Sequence, residues 1–187
     1  MTTTTTTERH PAIASPDLDA ALDRLAAAEQ TARTDLARVV AATDDLDRAD
    51  SDPYARERAA QRLAAAHLLV KRSGAPQLDA DGLRIVRQAL TAGQRYVTDR
   101  TEYGPPSDDP RDHPERLRPT SRPVIEGQGR LRHRLADLRV RVDAWHGDPD
   151  RLDCARLVAL LADLSNACEA ADQFRALVSV TATQEVN

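Results

Sequence analysis

From Leu18 onward the chain alternates apolar and polar positions at spacings of four and three. Leu18, Leu22, Leu25, Ala32, Leu36, Val39 and Leu46 occupy the series, and Glu29 and Thr43 interrupt it. A repeat near 3.5 residues places these side chains on one stripe and predicts a long helix with a heptad seam, supercoiled left-handedly against a partner helix. Ser15-Pro16 opens it, the serine as N-cap and the proline at the first helical position, with Asp17 and Asp19 on the positive end of the helix dipole. Asp52-Pro53 repeats the opening signal, Ala59, Leu63, Ala66 and Val70 form the second stripe, and Gly74 stops the helix. A third helix starts at Asp79 or Asp81, carries Leu83, Val86, Leu90 and Val97, and ends near Tyr103-Gly104. Gly93 within it costs about 1 kcal/mol relative to Ala. Such a cost points to a close crossing of two helices.

The segment Gly104 to Pro123 breaks the pattern with six prolines, at 105, 106, 110, 114, 119 and 123. Prolines at that density forbid a long helix, and a connection of this length reads as a linker or a functional loop. The expected protease sites are Arg111, Arg116 and Arg118. Beyond it Leu131, Leu135, Leu138, Val142 and Trp145 define a fourth helix that starts either at Pro123 or past Gly129, and Gly147 ends it. Asp148-Pro149 opens a fifth, with Leu157, Leu160, Leu164, Ala167, Ala171, Phe174 and Val178. The short turn makes these two an antiparallel hairpin, as the turn at 50–53 does for the first two. The fold class is all-α: a bundle of about five amphipathic helices with coiled-coil-like seams. The expected organisation is a disordered Thr-rich tail (1–14), a three-helix segment (15–103), the Pro-rich linker or loop (104–123), the hairpin (124–180) and a short tail (181–187).

Composition sharpens this picture. Thirty-two residues are Ala, and aromatic residues make up 3%, so helices must approach closely and the core is expected to be thin. No apolar run reaches membrane-spanning length and the N-terminus has no secretory pattern, so the expectation is a cytoplasmic chain without a membrane partner. Cys154 and Cys168 lie fourteen residues apart in one predicted helix. They are therefore about 21 Å apart along the axis and unable to pair with each other. Both read as inert core thiols.

Charge is uneven. Residues 1–54 hold 11 acids and 5 Arg, residues 142–187 hold 8 acids and 3 Arg, and residues 111–141 hold 9 Arg against 4 acids. In the fourth helix Arg130, Arg134 and Arg141 flank the apolar stripe on one side, with Arg132 and Arg139 on the other. Those positions suit pairing with acidic helices, the first and fifth above all. A nucleic-acid partner for the arginines of 130–141 is the alternative, weakened by the lack of aromatic residues for base stacking. Arg outnumbers Lys 25 to 1, so its abundance alone is no sign of phosphate binding.

Catalytic, metal and cofactor signatures are weak. Asp143-Ala-Trp-His146 and His133-Arg-Leu-Ala-Asp137 are single pairs, short of the Glu-x-x-His sets of di-iron bundles. Asp44-Asp45-Leu46-Asp47 is superficially similar to the aspartate-rich motif of isoprenoid synthases, without its second acidic motif. Glu169-Ala-Ala-Asp172 is similar to one motif of all-α nucleotide pyrophosphatases and lacks that family's upstream Glu-x-x-Glu. Gly127-Gln-Gly129 has no third glycine or preceding strand. Trp145-His146-Gly147 resembles the turn of the small helical-hairpin secretion substrates defined by a Trp-x-Gly motif. That resemblance covers the last two helices alone and implies an antiparallel hairpin. The family's C-terminal Tyr-x-x-x-Asp/Glu signal is absent, the two helices are unequal, and three helices precede them. No catalytic residue, metal ligand or cofactor site is assigned. The leading expectation is a non-catalytic helical interaction or scaffold protein, working with a protein partner or as a homo-oligomer. A nucleic-acid-associated protein comes second, and a small-molecule binder or enzyme with a site hidden from sequence third.

Overall fold

A computed structural model describes residues 9–49, 52–104, 115–119, 121–147 and 154–185. It contains the helices α1 (Pro16–Arg48), α2 (Pro53–Ser73), α3 (Ala80–Glu102), α4 (Arg122–Gly147) and α5 (Cys154–Glu185). Among the described residues there is no strand, only an isolated antiparallel bridge between Tyr103 and Arg116. None of the described helices is long and apolar enough to cross a membrane.

Local signals set the helix ends. Ser15 Oγ accepts from Leu18 N–H at 3.1 Å and Asp52 Oδ1 from Tyr54 N–H at 3.0 Å, each relieving a donor that the first turn leaves unpaired. Asp79 Oδ1 does the same for Gly82 N–H at 2.6 Å, so α3 is capped by Asp79. Gly74, with φ of 64°, closes α2 by donating to Val70 O. The hairpin turns at 50–51 and 148–153 lie outside the described residues, as do residues 1–8 and 105–114.

The chain forms two compact units. One is Ala20–Gly82, and the other joins Met1–Asp19 to Leu83–Asn187. In the first unit α2 buries Ala59 and Ala66, and Arg62 reaches Asp45 of α1 at 3.3 Å. The seam expected along α1 holds for Leu22 and Leu25 but not for its second half. Leu36 and Thr43 are exposed, while Asp35 and Ala42 are buried in their place. By Asp35 the buried face has rotated about 90° from its start, more than the drift of about 20° per heptad that a heptad stripe shows on a straight helix, so the two part company. Asp35 tolerates burial because Arg38 donates to it at 2.9 Å.

In the second unit α5 is the central element. It buries Leu157, Leu160, Leu161, Leu164, Ala167, Cys168, Ala171 and Phe174, too wide a set for one stripe. α4 runs antiparallel to it: Arg141 meets Asp163 at 2.7 Å, and the Cα of Gly127 faces Phe174. Leu131, Leu135, Leu138, Val142 and Trp145 are buried along α4 as its period demands, Trp145 being 1% exposed. Of the two expected starts for α4 the earlier is observed, at Arg122 beside Pro123. The helix accommodates Pro there because the first turn needs no N–H from it. α5 continues to Glu185, past the expected end at 180, since nothing in Val180 to Gln184 breaks a helix.

Two segments outside the helices are held in the second unit. Residues 9–14, the last part of the expected tail, form one of them. Ile13 is buried, a turn forms at 11–13, and Ile13 and Ala14 N–H donate to His10 O at 2.9 and 3.0 Å. Within the Pro-rich segment, residues 115–117 are paired to the end of α3. Gly104 N–H donates to Glu115 O at 2.7 Å and Leu117 N–H to Glu102 O at 2.8 Å. Gly93 does mark a close crossing: a Cβ there would lie 2.6 Å from Ile13 Cγ2 and 2.6 Å from Leu164 Cδ2.

Candidate functional site

Three groups of polar side chains carry chemistry. The first gathers on α3 and α5 around Asp172. His10 Nδ1 accepts from Ala12 N–H at 3.1 Å, which leaves the ring proton on Nε2, 2.9 Å from Asp172 Oδ2. Tyr96 OH donates to Asp172 Oδ1 at 2.7 Å, and Ser165 Oγ accepts from His10 N–H at 2.7 Å. Arg100 stacks over the Tyr96 ring, 4.4 Å from its centroid. Its Nε lies 2.7 Å from Asp172 Oδ1, but that N–H is not aimed at the oxygen, so charge alone joins them. Burial pushes the Asp172 carboxyl up. The hydrogen bonds from Tyr96 and His10 and the Arg100 charge outweigh it, and hold the group below the usual aspartate range. The Tyr96 hydroxyl is raised, first by burial and then by its bond to Asp172. Both His10 nitrogens and the Tyr96 proton are committed within the cluster. It is a clasp that holds residues 9–14 onto α3 and α5.

The second group closes the C-terminal end of α3. Gln128 Nε2 donates to Thr101 O at 2.8 Å, and Arg175 Nη2 donates to Gly104 O at 3.0 Å. These side chains and Leu117 N–H occupy carbonyls that the last turn leaves open.

The third group is the set of arginines on α4. Arg132 grips Glu102 of α3 with two bonds of 2.6 Å, and Arg139 donates to Thr98 of α3 at 3.2 Å. The Arg132 hydrogen bond holds the Glu102 carboxyl below its ordinary pKa. Arg141 lies between Asp163 of α5 at 2.7 Å and Asp137 of its own helix at 3.9 Å. Arg130 and Arg134 are exposed and, among the described residues, make no ion pair or hydrogen bond. They rim an open groove of about 320 Å³ between α4 and α5, floored by Gly127, Leu131, Ala170, Phe174 and Leu177, with Gln173 at its edge. A Cβ on Gly127 would stand 3.0 Å from the Phe174 ring, so the glycine keeps this part of the floor low.

Several of these residues escaped the sequence reading. His10 lay in the presumed tail, and Tyr96 and Asp172 are remote from it in sequence. In the sequence Gly127 stands out only as half of a Gly-x-Gly without the third glycine of a dinucleotide loop. Nothing local marks Glu102 and Thr98 as partners for arginine, although α3 carries Asp99 and Glu102 beside the basic segment. Neither cysteine is in a disulfide, and both are buried. Burial pushes the Cys168 thiol up to about 12, with Asp172 and Glu169 adding to the effect. No group of three His, Cys, Asp or Glu side chains that could hold a metal converges among the described residues. Comparison of the chain with family models, curated proteins and solved structures returns no match.

Proposed function

We propose that this chain is a non-catalytic helical interaction protein that acts through protein–protein contacts, self-association first among them. The observation that supports this reading is on α1. Leu36 and Val40, one turn apart, are 58% and 55% exposed on a helix whose neighbouring face is buried. Burying a Leu or Val side chain stabilises by about 1.5–3 kcal/mol. Single exposed apolar residues are ordinary, but an i, i+4 pair is the spacing by which one helix docks on another. The mutual satisfaction of His10, Tyr96 and Asp172 fits a structural use of the one dense polar cluster.

Sedimentation equilibrium over a wide concentration range tests the reading. The wild type should rise above its 20.5 kDa chain mass, and the double variant Leu36→Asp/Val40→Asp should not. A wild type that stays at the mass of one chain at every concentration refutes self-association.

The free Arg130 and Arg134 favour a second reading, association with nucleic acid. Two arginines available for phosphate correspond to a slope of about −1.8 in log affinity against log salt on duplex DNA. Binding between 50 and 200 mM salt with about that slope, lost in Arg130→Glu/Arg134→Glu, would promote this reading over the first.

A further inference from the structure

We infer that the α4–α5 groove receives the Leu36–Asp47 face of α1 from a second copy of this chain, with Asp44 and Asp47 meeting Arg130 and Arg134. The inference rests on the self-association reading and names the surface opposite Leu36 and Val40.

The two surfaces match in chemistry. At 3.6 residues per turn Leu36, Val40, Thr43, Asp44 and Asp47 fall within an arc of about 100° on α1. All five are exposed. Asp44 and Asp47 make no ion pair or hydrogen bond among the described residues, whereas Asp45, outside this arc, is held by Arg48 and Arg62. On the other surface Arg132, Arg139 and Arg141 are committed to side chains of α3 and α5, and Arg130 and Arg134 alone of the five remain open. Arg130 and Arg134 stand about 6 Å apart along α4, and Asp44 and Asp47 about 4.5 Å apart along α1. A positive rim beside an apolar floor therefore faces two negative groups beside an apolar strip. A second copy supplies both halves at equal concentration.

Charge exchange on the full-length chain tests the pairing, read by sedimentation equilibrium at low and high salt. Arg130→Asp/Arg134→Asp alone, and Asp44→Arg/Asp47→Arg alone, should each weaken self-association by about tenfold or more, because like charges then oppose each other. Mixing the two variants puts a basic α1 against an acidic groove and should restore association. The wild-type contact should weaken as salt rises. Circular dichroism of both variants should match the wild type, since no partner within the chain is lost. Association indifferent to both reversals, yet abolished by Leu36→Asp/Val40→Asp, overturns the groove as the receiving surface and leaves the interaction reading standing. A mixture that stays unassociated, when each variant alone has lost association, also overturns the pairing. A wild type that never associates overturns both.

Discussion

Gly93→Ala isolates a close approach between α3, α5 and Ile13. The added Cβ would lie 2.6 Å from Ile13 Cγ2, 2.6 Å from Leu164 Cδ2 and 2.8 Å from Leu164 Cγ. Carbon atoms pack best at about 3.5–4.0 Å, so each contact falls short by about 1 Å. Ile13 is β-branched and buried, and Leu164 Cγ is not the free end of its side chain, so rotation of a terminal methyl cannot relieve both. Overpacking of a tight core costs about 1–3 kcal/mol. Against it stands the better helix propensity of Ala, worth about 1 kcal/mol. The clash should cancel or outweigh that gain, with a net loss of up to about 2 kcal/mol. Gly129→Ala in α4 provides the matched control. Its Cβ would meet nothing within 4 Å, so only the propensity gain remains, and the variant should be more stable by about 1 kcal/mol. Urea unfolding measures both changes, read as shifts of midpoint at constant slope. Equal stabilisation by the two substitutions would refute the close packing of α3 against Ile13 and Leu164.

Acid should unfold the chain partly through Asp172 and Glu102. Both carboxyls sit below their ordinary pKa in the fold, so their stabilisation is present above about pH 4 and is lost as pH falls through the lowered values. Asp172→Asn and Glu102→Gln should each flatten the acid limb of a stability–pH curve. Cys168, pushed up to about 12, should be about one part in ten thousand thiolate at pH 8. In a Cys154→Ser background it should therefore react with a disulfide reagent only as fast as the chain opens, and rapid labelling of the folded chain would contradict this. Arg132→Glu should lower stability by up to about 1 kcal/mol, less in high salt. Arg130→Glu and Arg134→Glu should leave it within about 0.5 kcal/mol, and a larger loss would show that they hold partners within the fold.

The helices themselves were legible in the amino-acid order. Ser15-Pro16, Asp52-Pro53 and Gly74 mark ends because capping depends on hydrogen bonds within about four residues, all present in the local sequence. The stripes of α2 and α4 were legible for the same reason, since one periodic face suffices where a helix is covered from one side. Gly93 announced its crossing because a glycine inside a helix is a local cost that only a distant neighbour offsets. Tertiary structure decided the rest. Which side chains α1 buries after Ala32 depends on what lies beside it, and a sequence stripe cannot choose between Asp35 and Leu36. The central place of α5 required neighbours on several sides, so Leu161, Ser165 and Cys168 were buried outside the expected stripe. Residues 9–14 read as tail because their anchors are 155 and 162 positions away, at Ser165 and Asp172. The same holds for the arginines of α4. Their flanking positions were evident from the helical period. Which three found partners, and which two stayed open above a groove, followed from the placement of Glu102, Thr98 and Asp163 on other helices.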